Sequence, residues 1–313
     1  MYAYIARRLL ATLPVMTVVA LFVFLLLRLT AGDPAAIIAG DNATSAQVAQ
    51  IRVRLGLDRS IPQQFVIWLG QILRGELGES FFFKKKVTDL ILDRVEPTLA
   101  LAICTIVLTV LLAVPLGTMA AYWQGTWIDR LVMGVAVLGF SVPVFVIGYA
   151  LIYVFAIYLA WLPVQGYQRL ADGLGGCMAR LILPSCTLAV IYVALIARIT
   201  RTSVLEVLNA DYVRTARAKG LTEIAVLWRH VLHNASVPIV TVIGLGIALL
   251  IGGVVVTESV YSIPGLGRLV VDAVLARDYP TIQAVVLLFS VVYVVINLLV
   301  DLTYTVLDPR IRY

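Results

Sequence analysis

Apolar residues run in long stretches along this chain, interrupted by short polar segments. A hydrocarbon core of about 30 Å takes roughly 20 apolar residues in a helix. Six stretches are long enough: 9–29, 98–122, 131–162, 181–201, 239–257 and 282–302. The third is too long for one upright span and short for two with a turn. Basic residues decide between these readings, because Lys and Arg collect on the cytoplasmic side. One tilted or kinked helix over 131–162 puts both termini and the loop 211–238 on the same side. That side then holds Arg7, Arg8, Arg214, Arg217, Lys219, Arg229, Arg310 and Arg312. The pattern predicts an all-α membrane protein with six transmembrane helices and both termini in the cytoplasm. Pro143 supplies the kink, since it removes one backbone hydrogen bond. The first stretch follows Arg7 and Arg8, as in a signal peptide. Its length exceeds the roughly 7–15 residues of a typical signal core, so a retained anchor is expected.

The chain divides into residues 1–30 with the first span, an extracytoplasmic region 31–97, and a core 98–313 with a cytoplasmic loop at 203–237. The outer region reads as short helices. Thr44 or Ser45 is placed to cap one that ends at Gly56. Ser60 is placed to cap another, with Pro62 in its first turn and Gly75 past its end. "FFFKKK" at 81–86 reads as interfacial, with rings at headgroup level and lysines reaching water.

One charged, helix-like stretch sits between two oily spans: "DYVRTARAKGLTEIAVLWRHVLHNASVP", 211–238. Leu221, Ile224, Ala225, Trp228, Val231, Leu232 and Ala235 form the stripe of an amphipathic helix. Leu205, Leu208, Tyr212 and Ala216 form a second stripe before it. Gly220 stands between them, where a left-handed backbone is easiest for glycine. The stretch is therefore expected to be a helix–Gly–helix elbow under the membrane.

Composition narrows the class. The chain is 61% hydrophobic and 13% charged, with mean hydropathy +0.99. A soluble domain carries roughly 25% charged residues. The net charge of +6 and pI near 9.3 follow from basic cytoplasmic loops and give no reason to invoke nucleic acid. Cys104 and Cys186 fall in apolar segments and Cys177 in a loop, with no disulfide or metal-ligand spacing. His230 and His233 share a helix face without a third ligand, so no metal site is expected. No phosphate-cradling loop, zinc helix or nucleophile elbow occurs. Arg28, Glu258 and Asp301 sit near span ends, and no carboxylate is clearly central. An ion-coupled secondary transporter, the competing reading, normally buries carboxylates near the midplane.

At the elbow the sequence resembles the binding-protein-dependent ABC importers. Their cytoplasmic "EAA" loop reads E-A-A, three residues, Gly, nine residues, then I-x-L-P. Gly220 matches the glycine, Ala216 the last alanine and Leu232 the leucine. Arg214 stands at the glutamate, Thr215 at the first alanine, and His230 and His233 replace the isoleucine and proline. "DYVRTARAKG" is how the peptide and nickel branch writes this motif. "RRLLATLPV", "LGLDRSIPQQF", "LRGELGES", "ESVYSIPGLGRL" and "LDPRIRY" resemble the same branch. The resemblance covers essentially the whole chain and is to the B-type permease subunit of a dipeptide, oligopeptide or nickel importer.

The resemblance implies a type I importer permease fold in a bacterial inner membrane. It implies a related second permease, two cytoplasmic ATPases that bind the ATP and Mg, and an extracytoplasmic solute-binding protein. This chain then holds no cofactor and is not an enzyme. The cargo is expected to be dipeptides or short peptides, with nickel or another small solute as the alternative. By position, Asp211, Tyr212, Arg214, Ala216, Arg217, Lys219, Gly220, Leu221 and Glu223 would form the ATPase contact, with Asp211 or Glu223 standing in for the missing glutamate. Ser141, Pro143, Thr241, Thr257 and Glu258 are candidates for the translocation path. The bland alternatives are hydroxyls bonded to their own backbone and a local salt bridge from Glu258 to Arg268 or Arg277.

Overall fold

A computed structural model describes residues 2–29, 35–36, 44–54 and 56–307. Arg310, Arg312 and nearly all of "LDPRIRY" lie outside the described residues, as do the side chains of Arg7, Arg8 and Arg28. Helices dominate: α1 (Tyr2–Leu29), α2 (Ser45–Arg54), α3 (Ile61–Leu73), α4 (Val87–Tyr122), α5 (Trp127–Ser141), α6 (Val144–Tyr158), α7 (Leu174–Leu208), α8 (Asp211–Ala218), α9 (Glu223–Val260), α10 (Leu266–Leu275) and α11 (Tyr279–Leu307). Among the described residues, extended pairing is confined to one antiparallel bridge, Glu79 with Lys86.

Four described helices, α4, α7, α9 and α11, are long and apolar enough to cross a bilayer. Pairing α5 with α6 makes a fifth, and the apolar part of α1, Leu10–Leu25, is shorter. The third stretch departs from a single kinked helix. α5 and α6 meet at 105°. The cause is local: the residue before a proline is pushed out of the α region. Val142 is extended at φ −94°, ψ 129°, and α6 restarts behind Pro143. The second half of α6, Ile152–Tyr158, is wound as a π-helix. Cys177, expected in a loop, lies inside α7 and is fully buried. The glycine-rich run before it starts the helix earlier than the apolar pattern does.

The described chain divides into two compact units, with the boundary running through α4, α10 and α11. Among the described residues, the larger unit comprises 95–268 and 295–307. Its main core gathers Leu101 and Ala113 of α4, Ile152 of α6, Leu181, Leu188, Tyr192 and Ile196 of α7, and Val242, Leu250 and Val254 of α9. Tyr261 closes one end. Its ring is buried, and its hydroxyl meets Thr187 Oγ1 at 2.8 Å and donates to the Gly148 carbonyl at 3.2 Å. A second cluster sits at the elbow. The smaller unit comprises 2–94 and 269–294. There Ala20 and Val23 of α1 pack with Trp68 and Ile72 of α3 and with Leu287 of α11. Thr44 caps α2 reciprocally with Gln47, whose side chain accepts from the Thr44 backbone N–H at 2.8 Å. Ser60 takes the cap position of α3, ahead of Pro62, but its side chain makes no capping hydrogen bond, and Gly75 beyond the end has φ +81°.

Candidate functional site

The elbow is built from its turn outward. α7 ends at Leu208, Ala210 is extended, and α8 runs from Asp211 to Ala218. Gly220 then adopts φ +78°. Its N–H donates to the Arg217 carbonyl at 2.9 Å, and the Leu221 N–H donates to the Ala216 carbonyl at 3.4 Å. These two bonds form a Schellman cap, which places a left-handed residue where glycine costs least. Thr222 restarts the helix, its hydroxyl accepting from the Ala225 N–H at 3.4 Å. Arg217 and Glu223 bridge the turn with paired hydrogen bonds of 2.9 and 3.3 Å. Both are partly exposed, so the bridge contributes about 0.2–1 kcal/mol.

The buried side of the elbow differs from the expected stripes. Val213 and Ala216 of α8 pack with Val226, Val231, Ala235 and Ile239 of α9, Val204 of α7 and Ala121 of α4. Val226–Leu232 is π-helical. A wider turn brings residues five apart onto one face, so Val226 and Val231 point inward together. Ile224 and Trp228, placed on the inner stripe by an α-helical period, are instead each 72% exposed. Tyr212 is likewise turned outward while its neighbour Val213 is fully buried. Partial burial still pushes the Tyr212 phenol above its ordinary value. Of the nine coupling candidates, Ala216 is removed from any direct side-chain contact by burial. Asp211, Tyr212, Arg214, Arg217, Lys219, Gly220, Leu221 and Glu223 all reach the elbow surface. Arg214 lies 3.8 Å from Asp211 across one turn.

The path candidates separate into two kinds. The Ser141 hydroxyl donates to the Val137 carbonyl at 2.8 Å and Thr241 to the Val237 carbonyl at 2.7 Å, the backbone-bonded alternative. Pro143 sits at the α5–α6 break. Thr257 is buried with no hydrogen-bond partner for its hydroxyl. Glu258 is fully buried rather than exposed at a mouth. Its carboxylate accepts from the Thr98 hydroxyl at 2.6 Å and from the Arg268 backbone N–H at 3.0 Å. Thr98 in turn accepts from the Leu266 N–H at 2.8 Å. A Cβ built at Gly265 would fall on that carboxylate, so "IPGLG" leaves the space in which Glu258 sits. Glu258 therefore meets Arg268 at least through that residue's backbone N–H. Thr98 and Gly265 are the partners that sequence reasoning did not identify.

Among the described residues the chain is helical, with four or five apolar helices long enough to cross a bilayer. Solved structures agree in fold. One, described as inward-facing conformations of the MetNI methionine ABC transporter, aligns with TM-score 0.59 at 18% identity over 71% of this chain and 97% of that chain. Another, an amino acid ABC transporter with histidines, aligns with TM-score 0.52 at 17% identity over 69% and 93%.

Residues 113–313 match the family described as "Binding-protein-dependent transport system inner membrane component", and residues 1–102 match its N-terminal family. The chain belongs to this family and is an ABC importer permease subunit. A probable peptide ABC transporter permease protein of Sinorhizobium fredii is 55% identical over 313 residues, covering all of both chains. A putative peptide transport system permease protein of Brucella abortus is 43% identical over the same full span. The glutathione transport system permease protein GsiC of Pectobacterium atrosepticum is 44% identical, also over both chains entire.

Proposed function

We propose that this chain imports dipeptides or other short peptides, glutathione included, as the B-type subunit of a permease heterodimer. The observation that carries the cargo is full-length likeness, at 55% identity, to a relative named as a peptide permease. Two ATPases bind below in the cytoplasm of a bacterial cell and supply the ATP hydrolysis, so the chain itself is not catalytic. A solute-binding protein docks outside, over the region 31–97. Both termini lie in the cytoplasm, and α1 and the α5–α6 pair each count as one of six spans.

The elbow is the seat of one ATPase. Its surface supports this reading. Tyr212, Leu221, Ile224 and Trp228 are large apolar or amphipathic side chains turned outward from a rigid, Schellman-capped turn. Exposed apolar groups of this size in a cytoplasmic loop mark a partner surface. Asp211, Arg214, Arg217, Lys219 and Glu223 surround them with charge, as in the polar rim of an interface. ATP closes the ATPases by its greater affinity for their closed dimer, and the elbow carries that population shift into the helices. The path runs between the two permeases, with Ser141, Pro143, Thr241 and Thr257 as lining candidates.

Deleting the gene and restoring it on a plasmid tests the cargo. Growth on a dipeptide as sole nitrogen source should be lost and regained with the gene. Unchanged uptake of labelled dialanine and glutathione in the deletion strain would remove the peptide reading.

A further inference from the structure

Asp129 and Arg201 form a close bidentate ion pair in the larger unit. Asp129 lies in the first turn of α5, with its side chain 7% exposed. Arg201 lies in α7, shortly before that helix runs into the elbow. The guanidinium is bidentate: Nε donates to Asp129 Oδ1 at 2.6 Å and Nη2 to Oδ2 at 2.7 Å. The Gly125 N–H adds a third donor at 2.9 Å. A planar fork on a buried carboxylate fixes direction as well as distance.

Its place in the fold gives the pair a task. The apolar cluster of the elbow draws on α4, α7, α8 and α9, but on no described residue of α5. α5 therefore has no apolar grip on the elbow cluster itself, and its apolar packing is along α7, where a Cβ at Gly139 would meet Val190 and Ala194. Yet α5 leads into the 105° break at Pro143 and then α6. A helix joined to its neighbour only by greasy side chains can slide. A bidentate ion pair at its first turn cannot slide without leaving a buried charge unpaired, which is strongly unfavourable.

We propose that Asp129 and Arg201 are positioning residues that make the α5–α6 pair follow the elbow when the ATPases close. The pair touches no cargo and no nucleotide. It sets which transmembrane segment is driven. This inference rests on the elbow being the ATPase seat.

The test uses the whole importer, purified from its native membrane into lipid nanodiscs. Spin labels are placed at Val135→Cys on α5 and Glu206→Cys on α7, both exposed. In the wild-type background their separation stays the same without nucleotide and with ATP plus vanadate, because the two helices move as one. In D129N and in R201Q the separation changes on adding ATP and vanadate. The charge-reversed double variant D129R/R201D restores a constant separation, which a merely space-filling role would not. An apolar pair, D129L/R201M, covers the case in which a single variant does not accumulate, and it is expected to assemble and behave like the single variants. A constant separation in the single or apolar variants overturns the proposal. So does an importer that fails to assemble with every substitution, since the pair then serves folding alone. A Trp228→Cys crosslink to the ATPase, run in otherwise wild-type importer, checks the seat separately. Its absence strikes the elbow reading, whereas its presence with a constant separation in D129N strikes the pair.

Discussion

Two glycines in this permease sit at helix breaks for opposite reasons. Gly220 has φ +78° and open space where a Cβ would go. Gly265 has no positive φ, and a Cβ there would land on the Glu258 carboxylate. The first is chosen for its backbone and the second for the absence of a side chain. The surroundings differ accordingly. The elbow at Gly220 exposes Ile224 and Trp228 and is bridged by a half-exposed ion pair. The turn at Gly265 wraps a fully buried carboxylate held by Thr98 and the Arg268 backbone. One is a capped turn whose surroundings stay open. The other is a sealed joint between α4 and the facing ends of α9 and α10.

Substitutions that treat the two alike should pull them apart. The largest effect is expected from Gly265→Ala, which displaces Glu258 and leaves a buried charge short of partners. A loss of about 3–5 kcal/mol follows from breaking such a site, measured as a collapse of the thermal midpoint in detergent and of the amount of chain in the membrane. Glu258→Gln keeps the shape but turns one acceptor into a donor facing the Thr98 hydroxyl or the Arg268 N–H. It should cost about 1.5–3 kcal/mol by the same assay. Gly220→Val forces a β-branched residue into left-handed backbone, at about 1–2 kcal/mol. The chain should still insert while peptide uptake falls, and Gly220→Asn should restore most of that uptake because Asn tolerates this conformation. Arg217→Ala removes only the exposed bridge and should change stability by about 0.2–1 kcal/mol. If Gly265→Ala proved as mild as Arg217→Ala, the sealed-joint account of Glu258 would fail.

Much of this was written in local patterns, and the exceptions have physical causes. The elbow was legible because glycine flanked by amphipathic stripes is the signature of a left-handed helix end. Its inward face was not, because Val226–Leu232 winds as a π-helix and an α-helical period then assigns Ile224 and Trp228 to the wrong side. Pro143 announced a kink, but the 105° turn also needs Val142 extended. Glu258 read as an ionisable group at an outer mouth. Its burial depends on Thr98, far away in sequence, and on empty space above Gly265, neither of which periodicity reports. The Asp129–Arg201 pair joins residues 72 positions apart, so no local spacing rule reaches it.

The most direct test of the central claim is a photoreactive amino acid at Trp228 in the native membrane, followed by mass spectrometry of the crosslinked partner. The account predicts an ABC ATPase as the dominant partner, strengthened or weakened by ATP and vanadate. Crosslinks to lipid alone, or to no ATPase under any nucleotide condition, would contradict the elbow as the seat of the motor.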